Sequence, residues 1–218
     1  MARWKDNPQL VTLAGDERIP ATSPSGGAKV GGGSVAAGKD VFVTPEQLKD
    51  YAGGGGAGAP WFIQFKPYDN EPPASNYATL DLRNNRPTLD FDDTTNETAV
   101  FSGVLPAGYA GGGLTVTVFC SLTSATTGTV GWDVAFERTQ ASTDDIDSDS
   151  FAAAKTVTAT TVPGTSGQVL ALSVNVANGS EMGSLAAGEL FRLRVRRDVA
   201  NDTATGDAEM LAVSIKEQ

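Results

Sequence analysis

Residues 114–122 read Leu-Thr-Val-Thr-Val-Phe-Cys-Ser-Leu, and this stretch decides the fold class. Leu114, Val116, Val118, Cys120 and Leu122 fall on one face of an extended chain, and Thr115, Thr117, Phe119 and Ser121 on the other. That period of two belongs to a strand with one buried face. The alternation recurs in Trp132/Val134/Phe136, Leu170/Leu172/Val174/Val176, Phe191/Leu193/Val195 and Leu211/Val213/Ile215, and further strands are expected at 61–66, 77–82, 88–92, 98–104 and 152–158. Eight to ten strands with polar turns and no long helix predict a mainly β protein, its C-terminal part an antiparallel β-sandwich of jelly-roll type.

The chain before this region is built differently. Residues 10–20 carry Val11, Leu13 and Ile19 around a turn at Gly15-Asp16, enough for a short strand or an extended arm, and residues 21–40 are mostly Ser, Gly, Ala and Pro. Such a composition loses too much chain entropy to order without a partner surface. Thr44-Pro45-Glu46-Gln47 then starts a helix, with Thr44 as cap, Pro45 at the first helical position and Gln47 where a capping box places its reciprocal residue. The helix is expected over 45–52, closed by Gly53. Isolated helices of this length are marginal in water, so it is expected to pack on another chain or particle. Three parts result: an arm (1–52), a Gly-rich hinge (53–60) and a β head (61–218).

Composition excludes several classes. Hydrophobic residues make up 40% of the chain and charged ones 19%, and no apolar run approaches the roughly 18 residues of a membrane-spanning helix, so no membrane insertion is expected. The start, MARWKDNPQL, has no apolar stretch behind its basic residues, and Cys120 has no second cysteine to pair with, so a secretory leader is not expected and the protein is expected to be made in a reducing cytoplasm. A net charge of −10 without a Lys/Arg cluster among aromatics argues against nucleic acid as a partner.

Two sets of motifs resemble a known group. LAGDERIPAT, followed after a Gly-rich gap by VTPEQLKDYA, resembles the N-terminal attachment segments of tailed-bacteriophage fibre and tail-appendage proteins. LPAGYAGGGLTVTVF, WDVAFER, DSDSFAAA and SLAAGELFRLRVRRD are similar to a compact β-sandwich module of phage virion proteins, found in fibre heads and in capsid decoration proteins. The resemblance covers nearly the whole chain and implies a homotrimer, located in the virion and assembled in the bacterial cytoplasm. It implies attachment through the arm, with Leu13, Ile19, Pro45, Leu48 and Tyr51 as candidate contacts. The virion partner is then a tail or baseplate protein, or alternatively the major capsid protein, and the head meets a host-surface glycan or protein. Only Gly53–Pro60 could serve as a shaft, which favours a short fibre or a capsid knob over a long fibre.

The residues offer little for catalysis. Histidine is absent, which removes Ser-His-Asp and Cys-His chemistry and the commonest metal ligand. Cys120 sits on an inner strand face and reads as a buried thiol. Asp144, Asp145, Asp147 and Asp149 form the densest acidic run; counted from Asp145, Ser150 and Thr156 occupy the glycine and glutamate positions of an EF-hand, so the run reads as a solvated loop and no metal or cofactor is expected. Asp90, Asp92 and Asp93 read alike. The Gly runs at 31–33, 53–56 and 111–113 match no phosphate-binding pattern, and Asn96, Asn178 and Asn201, although in acceptor triplets, are not expected to be glycosylated. No solenoid period accompanies the carboxylates, so an enzyme is not expected.

The remaining candidate is FRLRVRRD. With Phe191, Leu193 and Val195 inward, Arg192, Arg194 and Arg196 share the outer face of one strand, about 7 Å apart at each step. If this strand lies beside WDVAFER, its outward Asp133, Ala135 and Glu137 offset the arginines as cross-strand pairs. Otherwise the row meets acidic groups of a neighbouring subunit or virion protein, which planar guanidinium groups suit.

Overall fold

The computed structural model describes residues 61–218 throughout and, before them, the backbone of four short strands. The chain divides into two units, Met1–Ala59 and Pro60–Gln218. In the first, β1 (Ile19–Thr22) pairs with β4 (Asp40–Val43) and β2 (Gly27–Ala28) with β3 (Ser34–Val35), both antiparallel, so one pairing is nested within the other. Of the stretch 21–40, read from composition as needing a partner surface for order, the described residues are Ala21, Thr22, Gly27, Ala28, Ser34, Val35 and Asp40, all in these strands. Ile19 lies in β1 opposite Val43. The helix at 45–52, the hinge at 53–60, and Leu13, Pro45, Leu48 and Tyr51 lie outside the described residues.

The second unit contains ten strands: β5 (Phe62–Phe65), β6 (Thr79–Arg83), β7 (Arg86–Phe91), β8 (Thr98–Val104), β9 (Leu114–Leu122), β10 (Thr129–Thr139), β11 (Lys155–Thr161), β12 (Leu170–Val176), β13 (Leu190–Arg197) and β14 (Ala208–Glu217). They form a jelly-roll-type sandwich of two antiparallel sheets. One has the order β11-β10-β13-β8; the other is β12-β9-β14-β7-β6, with β5 also paired to β14. The inward residues of both sheets form one core, across which Phe91 meets Trp132 edge to face at 4.8 Å and Phe65 stacks on Phe101 at 5.2 Å. Leu114, Val116, Val118, Cys120 and Leu122 are all buried, as their alternation predicts.

Two details depart from the sequence reading, and a third lies outside it. Leu211 is not a core residue: a bulge between Met210 and Ala212 opposite β9 inserts one position, so Met210 points inward before it and Val213 and Ile215 after it. The strand expected at 152–158 starts at Lys155, because Phe151–Ala154 leave the ladder and only Ala152 N–H bonds back, to the Phe136 carbonyl at 2.8 Å. Arg197, the next inward position after Val195, is fully buried. Its guanidinium donates to Asp202 Oδ2 at 2.8 Å and to the carbonyls of Phe91, Ala204 and Gly206 at 2.9, 2.8 and 2.8 Å. Every direction the guanidinium fork presents is thus answered inside the protein, which is the condition for burying a charge.

The sheets differ in width, with consequences at one edge. Leu80 of β6 pairs with the core residue Leu89 and so lies on the inner face, as does Leu82 two residues on. Yet Leu80 is 49% and Leu82 56% exposed, because the four-stranded sheet does not reach over β6. Tyr68, Tyr77 and Leu80 line a shallow hollow there, of about 290 Å³.

Candidate functional site

Strand β13 lies between β10 and β8, and its outward residues define the site. Across β10 the register sets Arg192 opposite Glu137, Arg194 opposite Ala135, and Arg196 opposite Asp133. Across β8 the same three face Ser102, Val100 and Thr98. The cross-strand offset expected from the two sequence motifs is therefore present, but at two of the three arginines. Arg196 donates to Asp133 Oδ2 from Nε at 2.9 Å and from Nη2 at 2.6 Å. Arg192 bonds both Glu137 and Asp149. Burial works against the charge of Arg192, but its hydrogen bonds to Asp149 and Glu137 prevail and hold its pKa above the usual value.

Arg194 is different. Its neighbours in the sheet are a methyl group and an isopropyl group, and no acid reaches it among the described residues. Its Nε is buried without a hydrogen-bond partner, as is Asp133 Oδ1 on the same face. The contact it does make is with Phe151, whose ring centre lies 5.0 Å from the guanidinium carbon of Arg194 and 5.0 Å from that of Arg192. Arginine over an aromatic face is favourable and leaves the edge of the guanidinium plane available for hydrogen bonds.

Two segments raise walls around this floor. Residues 70–78 run along the outer edge of β8: Glu71 N–H donates to the Val100 carbonyl at 2.8 Å, Asn70 Oδ1 accepts from Val100 N–H at 3.0 Å, and Ala78 N–H reaches the Thr98 carbonyl at 3.0 Å. On the opposite side, Asp149–Phe151 are tied down over β10. Ser150 N–H and its hydroxyl both donate to Glu137 Oε1, the hydroxyl at 3.1 Å, and Asp149 holds Arg192. Glu137, only 4% exposed, thereby fixes both an arginine and a wall. Between the walls runs an open trough of about 540 Å³. Arg194, Arg196, Thr98 and Val100 lie toward its floor, Pro73, Ser75 and Asn76 line one side, Asp149 and Phe151 the other, and Asn96 completes it.

The aspartates flagged in the sequence are used locally. Asp92 Oδ1 accepts from Thr94 N–H, Thr95 N–H and the Thr94 hydroxyl at 2.7, 2.7 and 2.6 Å, closing the turn between β7 and β8, and these bonds, first that of the Thr94 hydroxyl, hold its pKa below the usual value. Asp93 accepts from Gly206 N–H, Asp144 from Gln140 N–H and Asp145 from Asp147 N–H. Among the described residues no three acidic or thiol groups are grouped to hold a metal ion. Burial raises the Asp90 carboxyl to about 6, offset in part by the Thr88 hydroxyl and assisted by Glu209, Asp81 and Asp207.

Sequence reasoning found the arginine row but not what distinguishes its middle member. Ala135, legible in WDVAFER as the uncharged centre of the outward set, was the available signal. Phe151 and the walls carried none, because they are loop residues placed by long-range bonds.

The site belongs to an antiparallel β-sandwich of jelly-roll type. No family model matches the chain, and no curated protein does. Among solved structures, the xylan-binding module CBM15 is similar at 9% identity, over 73% of this chain and 97% of that one, with a TM-score of 0.43. The CBM22-2 xylan-binding domain of Paenibacillus barcinonensis Xyn10C is similar at 11% identity, over 72% and 99%, with a TM-score of 0.42. A chain of the infectious bursal disease virus Gx strain is similar at 6% identity, over 74% and 33%, with a TM-score of 0.31. These are similarities of strand arrangement at identities too low to carry function.

Proposed function

We propose that the protein is a structural component of a tailed-phage virion, of tail-fibre type, in which residues 1–52 dock to the particle and the sandwich is presented to the host surface. The observation that supports this reading is the trough on the outer face of the four-stranded sheet, walled by two anchored segments and floored by an arginine with no acid to pair with among the described residues. A rigid sheet bearing an open, polar, partly aromatic trough suits recognition of a surface. The role is attachment and not catalysis, and it draws on no cofactor.

The head is also proposed to associate as a homotrimer through the overhanging edge at β6. Leu80, Leu82, Tyr68 and Tyr77 are exposed apolar groups beside a strand edge unpaired among the described residues, a combination that soluble proteins usually cover. The same edge favours a second reading, a capsid decoration protein whose neighbour is a capsomer. Complementation of a phage lacking the gene separates the two. With residues 1–52 deleted, the protein is expected to remain soluble and to be missing from purified particles, and particles without it to adsorb poorly. Particles that retained the truncated protein would move attachment into the head and support the decoration role.

A further inference from the structure

We infer that the trough centred on Arg194 binds the carboxylate of an acidic saccharide, the uronic acid class. This rests on the attachment reading above and names the ligand that the same surface takes. Of the carboxylates on this face, Asp133, Glu137 and Asp149 are engaged by Arg196 and Arg192, and Glu71 accepts from the Ser102 hydroxyl at 2.7 Å. None reaches Arg194. Its guanidinium is held on the Phe151 ring at 5.0 Å, and its sheet neighbours are Ala135 and Val100, so it is oriented without being neutralised. A guanidinium held in that way presents parallel N–H donors that match a carboxylate bidentately.

The rest of the trough decides between a saccharide and an acidic peptide. A volume of about 540 Å³ is far more than one carboxylate fills. Beside Arg196, which is paired with Asp133, and Asp149, its other polar groups are short and of mixed donor and acceptor character: the amides of Asn76 and Asn96 and the hydroxyls of Ser75 and Thr98. Such groups suit the ring of hydroxyls on a sugar. Asp149, facing the trough with its charge committed to Arg192, supplies a further acceptor for a sugar hydroxyl. A peptide strand, by contrast, would need an unpaired strand edge on this face, and β8 is already covered by residues 70–78.

The test is calorimetric titration of the full chain with a galacturonic acid trisaccharide, the uncharged galactose trisaccharide and a triglutamate peptide, alongside binding of the fluorescently labelled full chain to host cells. The acidic sugar is expected to bind at least about tenfold more tightly than the neutral one, the scale of one charge-assisted pair. Arg194→Gln is expected to abolish that preference without changing the melting temperature, and Arg194→Lys to keep part of it. Equal affinities, no binding of the acidic sugar, or a preference that survives in Arg194→Gln overturn the inference. Tighter binding of triglutamate overturns it too and assigns the trough to a protein partner. Cells bound without sugar selectivity refute the ligand class and leave the attachment reading standing; selectivity without cell binding supports the trough and refutes attachment.

Discussion

Arg194 stands directly opposite Ala135 in the β10–β13 ladder, between two arginines that each face a carboxylate. One alanine in the outward set of β10 thus turns a neutralised surface ladder into a ladder with one open cation. The charge pairs on either side hold the strand and its walls in place, and the gap between them is where the proposed ligand would be accommodated.

Glu137 is the keystone of that arrangement, since it accepts from Arg192 and from both the amide and the hydroxyl of Ser150. Glu137→Gln is expected to cost about 2 kcal/mol, within the range for hydrogen bonds to buried charged groups. Hydrogen exchange should quicken at Ser150 and Ala152 while the β9 amides stay protected. Urea denaturation with residue-resolved exchange checks both.

The Arg197–Asp202 pair carries more weight because its side chains are 0% and 2% exposed. Arg197→Met strands Asp202 and three carbonyl oxygens in the interior and is expected to destabilise the head by about 3–5 kcal/mol. Adding Asp202→Asn should cost less than the two single losses summed, since the residues share one network. Denaturation midpoints of the three variants test this.

Asp90 sets a pH dependence of known sign. The folded state holds its proton up to about pH 6, whereas an ordinary aspartate releases it near 3.8. The unfolded chain therefore ionises first, and the contribution of this carboxyl to stability, full below about pH 4, is lost as the pH rises through 6. Asp90→Asn should raise stability at pH 7 by about 1 kcal/mol, after discounting for solvent screening, and leave it unchanged at pH 4. Thermal melts across that range are the measurement.

Burial pushes the Cys120 thiol up to about 12. The native protein should therefore not react with a disulfide reagent at pH 8, and one thiol should appear in step with unfolding. Rapid modification of the native state would show that β9 opens locally.

At the β6 edge, Leu82→Glu places a charge among the exposed apolar residues without disturbing the core. Full-length protein is expected to sediment as a trimer at micromolar concentration and the variant as a smaller species. A wild-type monomer in the ultracentrifuge would remove the trimer from the proposed function.

The sequence by itself determined the class of fold and most of its strands. Alternation with period two in LTVTVFCSL or FRLRVRRD permits only a strand with one buried face, because the pleat sends successive side chains to opposite sides. It also put Arg192, Arg194 and Arg196 on one outer face. Its reading failed where the pleat is interrupted: the bulge at Met210–Ala212, which moves Leu211 out of the core, leaves no mark in an apolar run. Nor could it tell that β10 and β13 are neighbours in register, that Glu137 and Asp133 would meet Arg192 and Arg196, or that Phe151 would fold back over them. Those are long-range pairings, decided by how two sheets of unequal width close over a common core. The exposed edge at Leu80 and Leu82 arises from that closure and the trough from two segments folded over the outer face, so both exist only in the tertiary structure.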